Sequence, residues 1–396
     1  MHTRPNGDES KVATPERVWL AKLARIRPGD VLLTRNIFAR SPADRAQSLA
    51  IRNATGGNYS HVMMCTGIPT FIEAVGDGVS NISIQTCFAY DSGNVRVMRY
   101  RDPEVAKAAS DAALMFLGRP YSVQRAIASI LPAFSAGATG GHATFCSALV
   151  AAVYAAAKSK DFVGRNPMKV TPKTFEEIGA FDDITNDIFI SVLTPPNLGE
   201  MSALDGDRAS NPIREYQASL LAEHFYGVFG ECQALKKDFP EFLNELPESF
   251  FELIQFLAIG LSHKQHLGQA GDPSLVAMIA RLEMIDREAH RRFADGRFEA
   301  MLSETIRIDA ESSMNLIKRS FAYDPDIDVE DIKGMAEATD SQIEARSSLP
   351  KSYESYPSGL CLTLDKWLAL NQKAIENMVQ RKMLLAEVLT RLGASH

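Results

Sequence analysis

Short apolar runs rich in β-branched residues fill about residues 60–100, and apolar positions recur at helical spacing through the second half of the chain. Ser60–Thr66, Thr70–Val75, Val79–Ile84 and Asn94–Tyr100 are short runs rich in β-branched residues, parted by Gly, Asp and Asn, and predict strands. Val31–Thr34 predicts an earlier strand opened by Gly29-Asp30, and Asp187–Leu193 a late one. Between them the spacing predicts helices over Val18–Ile26, Ala43–Asn53, Pro103 to about Leu117, 122–131, and Cys146 to about Lys158, with a turn and short helix in Val170–Phe181. Ser135–Thr144 predicts a small-residue loop. Beyond Pro195–Asn211 the pattern predicts helices at Ile213–Lys237, Pro240–His263, Pro273–Phe293, Phe298–Ile317 and Leu362–Leu392, with a more polar mixture of helix and loop over Asp324–Leu349.

This change of pattern divides the chain. The expected organisation is a disordered lead and short helix (1–26), an α+β domain (27–195), a linker (196–211) and an all-helical domain (212–396). A length of 396 residues accommodates two or three cores. A net charge of −7 leaves no basic excess to neutralise phosphates, which argues against a nucleic-acid partner. The N-terminal stretch has no apolar core of a secretory signal, and no run is long and apolar enough for a spanning helix, so a cytoplasmic location is expected, with export that reads no N-terminal signal as the alternative. Five cysteines, odd in number and without a C-x-x-C pair, fit reduced thiols better than a disulfide framework or a zinc site.

One of those cysteines has a chemically suggestive position. Gly141-His142-Ala143-Thr144-Phe145-Cys146 runs from a small-residue loop into an Ala-rich helix, with Thr144 as the expected N-cap. A thiol in a first helical turn lies at the positive end of the helix dipole, which favours its thiolate. A base and its orienter are sought on the strands. By the period of two, His61 shares a face with Met63 and Cys65, and Glu73 with Phe71 and Val75. A five-residue loop, Cys65–Pro69, would set His61 directly across from Glu73, their Cβ atoms about 4.5–5.5 Å apart. Cys146, His61 and Glu73 would then supply nucleophile, base and orienter for acyl transfer. Against this stands the ordinary reading of each residue alone: a packed thiol, a satisfied strand histidine, a solvated carboxylate. Tyr59 and Tyr121 are cleft-lining candidates whose simpler role is packing, and His142 is a second base, a polar cleft residue or, more simply, an exposed loop histidine. His263 and His266 form at most half a metal site, lacking a further ligand nearby in sequence. Phe250–Leu261 suits the central helix of a bundle.

Gly29-Asp30-Val31-Leu32, Tyr59-Ser60-His61-Val62, Ile72-Glu73-Ala74 with Gly78-Val79, Gly118-Arg119-Pro120-Tyr121, and Phe145-Cys146-Ser147-Ala148-Leu149-Val150 follow one another in an order with a known counterpart. Over about residues 27–185 the chain resembles the permuted papain-like cysteine amidases of the YaeF/YiiX type, relatives of NlpC-type peptidases and, more distantly, of lecithin:retinol acyltransferases. The resemblance implies a permuted papain-like fold in which the histidine strand precedes the cysteine helix. It also implies Cys146 as nucleophile, His61 as base and Glu73 as third polar residue, with no cofactor. Members with a signal peptide or lipid anchor differ from this chain, and residues 212–396 fall outside the match. The expected activity is a cysteine hydrolase of amide bonds acting on a small molecule or peptide. The alternatives are an acyl-ester or lipid hydrolase or acyltransferase with the same triad, and an inactive interaction module whose helices bind a partner or a second copy.

Overall fold

The computed structural model describes residues 15–39, 42–75, 78–119, 145–195, 198, 201–206, 212–241, 243, 245–266, 272–304, 306–307, 329–353 and 355–393. The lead through residue 14, the 122–131 helix, the 135–144 loop with Thr144 and His142, Tyr121, and positions 308–317 of a predicted helix lie outside them.

The described chain is mixed α and β, with antiparallel sheets and a helical C-terminal region. Its first half contains β1 (Arg17–Ala21), β2 (Val31–Thr34), α1 (Pro42–Thr55), β3 (His61–Gly67), β4 (Thr70–Val75), β5 (Gly78–Ser83), β6 (Cys87–Phe88), β7 (Val95–Tyr100) and α2 (Pro103–Ala113). Then come α3 (Cys146–Ala156), α4 (Pro172–Glu177), β8 (Phe181–Asp183), α5 (Thr185–Ile188), β9 (Phe189–Leu193) and β10 (Ser202–Ala203). The helical region contains α6 (Pro212–Asp238), α7 (Phe250–Ser262), α8 (Pro273–Phe293), a helical stretch over 297–304, α9 (Val329–Ser352) and α10 (Leu362–Arg391).

Six strands form the central sheet in the order β5-β4-β3-β2-β7-β8, every neighbouring pair antiparallel. Both faces of this sheet are covered, which explains why Val31-Leu32-Leu33 and Val62-Met63-Met64-Cys65 are apolar without a break. On one face Val31, Leu33, Val62, Met64, Ile72 and Ala74 pack with residues of α2 and α3. On the other, Leu32, Met63, Cys65 and Phe71 pack with Ile332 and Met335 of α9 and Leu385, Val388 and Leu389 of α10. Edge strand β5 is shielded too. Val79 N–H donates to Arg119 O at 2.8 Å and Gly118 N–H to Val79 O at 2.9 Å, while α6 packs alongside. Gly118 has φ +77°, and a Cβ there would come within 2.6 Å of Leu221 of α6, so this close approach requires glycine. The apolar core under α3 continues without interruption into α6, α7 and α8.

Several local expectations are corrected. Val18–Ile26 is a strand followed by a single 3₁₀ turn, Leu23–Arg25. Its partner is β9, about 170 residues downstream, so no local pattern reveals it. The 196–211 stretch is docked where it is described: Ser202 and Ala203 pair with Cys87 and Phe88. Asp205 is fully buried and accepts from the N–H groups of Tyr90 and Asp91 and from Asn94 Nδ2. Helix α7 starts at Phe250, not Pro240. Pro247, lacking an N–H, disfavours a helix running through it, and Ser249 caps the start, its Oγ accepting from Glu252 N at 3.1 Å. Helix α9 is continuous over the described part of the stretch expected to mix helix and loop.

Candidate active site

Helix α3 starts abruptly at Cys146. Its N-cap is Phe145, extended at φ −138° and ψ 167° and offering no side-chain cap, so the expected Thr144 cap is corrected. Two hydrogen bonds hold the helix in place. Ser147 Oγ donates to Val170 O at 2.7 Å beside the nucleophile candidate, and Tyr154 OH donates to Gly29 O at 2.7 Å two turns on. With α3 seated on Val62 and Met64, Cys146 comes to the His61 end of β3.

His61 and Glu73 are not directly opposite one another. The β3–β4 ladder pairs Cys65 with Phe71 and Gly67 with Thr70, leaving only Ile68-Pro69 as the turn in place of the five-residue loop. A register shift falls between Cys65 and Gly67, where Gly67 adopts φ +144°. Continued from Met64↔Ile72, this register sets Met63 across from Glu73. A displacement of two residues keeps every side chain on its face, so His61 meets Glu73 on the diagonal, with Nε2 2.8 Å from Oε2. Both side chains are sheltered, 13% and 6% exposed.

The ladder's paired residues end at Met64 and Ile72, short of His61. Alternation along β3 directs the N–H of Val62 toward β4, and this N–H donates to Cys146 Sγ, as does that of Ser147. The His61 side chain is hydrogen-bonded to the same sulfur. With Nε2 committed to Glu73, Nδ1 is the ring nitrogen left for the thiol. The open end of the ladder thus admits a sulfur from the helix beside an imidazole held by the next strand.

Electrostatics separates this thiol from Cys65, Cys232 and Cys361. All five cysteines are free and buried. Burial pushes Cys65 and Cys361 well up and Cys232 up to about 12. Burial is also the largest single influence on Cys146 and acts upward. The charge and hydrogen bond of His61, with the N–H groups of Val62 and Ser147, together outweigh it and hold the thiol below its ordinary value of 9.0. A thiolate–imidazolium pair oriented by a carboxylate is what a thiol nucleophile requires.

Tyr59 is buried in the main core, and burial raises its phenol. His263 is exposed, in a 3₁₀ turn with His266. No three His, Cys, Asp or Glu among the described residues are grouped to hold a metal ion. The sequence reading missed the Val62 N–H, a donor that depends on where the ladder opens. The Ser147 N–H was accessible from its helix-start position.

The chain matches no protein-family model, and no curated protein or solved structure matches it at a significant level. No helix among the described residues is long and apolar enough to cross a membrane.

Proposed function

We propose that the protein is a cysteine hydrolase of amide bonds, built on a permuted papain-like domain, with Cys146 as nucleophile, His61 as base and Glu73 as orienter. One observation carries this reading: the His61 side chain, its Nε2 2.8 Å from Glu73 Oε2, is hydrogen-bonded to Cys146 at the start of α3. The Cys146 thiolate attacks the substrate carbonyl, and the C=O pair moves onto oxygen. Cys146 and Ala148 offer N–H groups with no partner inside α3 to that oxyanion. Collapse of the intermediate expels the amine, which takes its proton from the His61 imidazolium and leaves a thioester. His61 then deprotonates a water that attacks the thioester, and the released thiolate recovers the starting pair.

A second reading keeps the same residues and changes the substrate to an acyl ester or lipid. Phe145 and Ala148, with Met168 packed against them, form a small apolar cluster beside Cys146 that suits an acyl chain. Profiling the purified protein against paired amide and ester libraries, with Cys146→Ser as control, distinguishes the two. Turnover lost in Cys146→Ser and His61→Ala is the expected result. Iodoacetamide labelling at one rate in wild type, Cys146→Ala and His61→Ala would end the enzyme reading and leave an interaction module.

A further inference from the structure

Helix α3 opens on Phe145, which gives it no side-chain cap. The first N–H groups of a helix have no partner inside it, so such a start is free to tilt unless another group fixes it. The fixing group in α3 is one residue past the nucleophile candidate. Ser147 is 1% exposed, and its Oγ donates to Val170 O at 2.7 Å. A serine within a helix ordinarily returns its hydroxyl to a carbonyl of the preceding turn. This one crosses to a carbonyl 23 residues downstream, outside the helix.

The acceptor is held from both sides. Val170 follows the 3₁₀ turn Pro167–Lys169, its N–H donating to Pro167 O at 3.0 Å and its side chain buried in the main core. After it, Thr171 and Thr174 form the capping box of α4, with Pro172 in the first turn. Anchored on this carbonyl, Ser147 is fixed in side chain and peptide plane alike, and its main-chain N–H donates to Cys146 Sγ. The same sulfur accepts from the Val62 N–H and is hydrogen-bonded to His61, both on β3. The angle at which α3 meets β3 therefore decides whether Sγ reaches the donors of both elements. A second anchor, Tyr154 OH to Gly29 O at 2.7 Å, lies seven residues on, about 10 Å along the helix, and is remote from the first turn.

We propose that Ser147 is a positioning residue for Cys146: its hydroxyl, anchored on Val170 O, aims its own N–H at Sγ and keeps the sulfur within hydrogen-bond reach of His61 and the Val62 N–H. This inference rests on the assignment of Cys146 as nucleophile. The Ser147 hydroxyl touches neither the sulfur nor the imidazole and acts through the geometry of the helix start.

Alkylation of the full chain by iodoacetamide as a function of pH, read by intact mass against Cys146→Ala, tests this. Tyr154→Phe is the matched control, because it removes a fully buried α3 hydroxyl of the same hydrogen-bond length away from the sulfur. Ser147→Ala is expected to move the alkylation midpoint to higher pH and, below the wild-type midpoint, to slow Cys146 by about 2- to 12-fold, the range of one neutral hydrogen bond. Tyr154→Phe is expected to lower the Tm and keep the wild-type midpoint. In a His61→Ala background the effect of Ser147→Ala should shrink, since one of the partners it aligns has gone. Equal rates in wild type and His61→Ala would remove the nucleophile assignment and this inference with it. Given a His61-dependent wild-type rate, any of three results overturns this inference alone: an unshifted Ser147→Ala midpoint, an equal shift in Tyr154→Phe, or failure of Ser147→Ala to fold.

Discussion

Glu73→Gln isolates what the carboxylate does for the thiol. Glutamine has the same length and can keep the 2.8 Å contact to His61 Nε2 through its amide oxygen, so the geometry survives and only the charge goes. A hydrogen bond to a charged partner contributes about 1.5–3 kcal/mol, and one between neutral groups about 0.5–1.5 kcal/mol. The substitution therefore removes about 1–2 kcal/mol from the imidazolium form. At 1.36 kcal/mol per pKa unit, the thiolate–imidazolium pair becomes about 5- to 30-fold less populated wherever it is not saturated. Alkylation of Cys146 by iodoacetamide, followed by intact mass from pH 5 to 9 with Cys146→Ala as baseline, reads this population. Because the wild-type thiol ionises below its ordinary 9.0, wild type should react faster than Glu73→Gln by that factor at every pH where the thiolate is not saturated. The two profiles should converge above about pH 9, where solvent hydroxide ionises the thiol without help. Superimposable profiles would refute the claim that the Glu73 charge supports the pair.

Two further substitutions probe the helical half. His224 is 1% exposed, has no hydrogen-bond partner among the described residues at either ring nitrogen, and is stacked on Phe298 between Phe250 and Phe293. Burial lowers its pKa below 6.5, and the charges near it are Asp295, Arg297, Glu223 and Arg292. Below pH 6.5 the unfolded chain therefore binds the proton that the folded chain resists. Stability is then fully present above pH 6.5 and falls on acidification by up to about 1.4 kcal/mol per pH unit, levelling off below the folded pKa. His224→Phe should flatten that part of a urea-denaturation series between pH 7 and 5, and an unchanged slope would contradict it. Asp286 of α8 caps α10 from outside, accepting from Leu362 N at 2.8 Å, Thr363 N at 3.0 Å and Cys361 Sγ at 3.3 Å. Asp286→Ala strands these donors, those of Cys361 and Thr363 buried, and should destabilise the protein by about 2–4 kcal/mol in urea melts followed by circular dichroism; a loss under about 0.5 kcal/mol would contradict the capping role.

The alternating and helical periods are legible wherever an element's partner leaves its own mark on the pattern. Thr70–Val75 and Pro273–Phe293 have the bounds their residues predict. β1 does not, because Val18-Trp19-Leu20 satisfies either period and only the distant β9 decides between them. The covering of both sheet faces explains the unbroken apolar run in β3, yet nothing in that run says that α9 and α10 provide the second cover. What covers the sheet is a property of the whole chain, and the change of period near residue 196 marks a change of element type, whereas the apolar core runs straight across it.

The same contrast explains the site. Parity is robust: a register displaced by two still brings His61 and Glu73 onto one face, so their meeting is readable even though the turn is two residues and not five. The opening of the ladder is not readable, because it depends on where β3 and β4 part. That opening is what the chemistry needs. A continued ladder would engage the Val62 N–H with β4, and the sulfur would lose a donor that opposes its desolvation. The seating of α3 on Val62 and Met64 therefore contributes to the thiol's ionisation alongside His61. It follows that substitutions enlarging the α3–β3 contact, by pushing the helix start away, should raise the Cys146 pKa even where His61 and Glu73 are untouched.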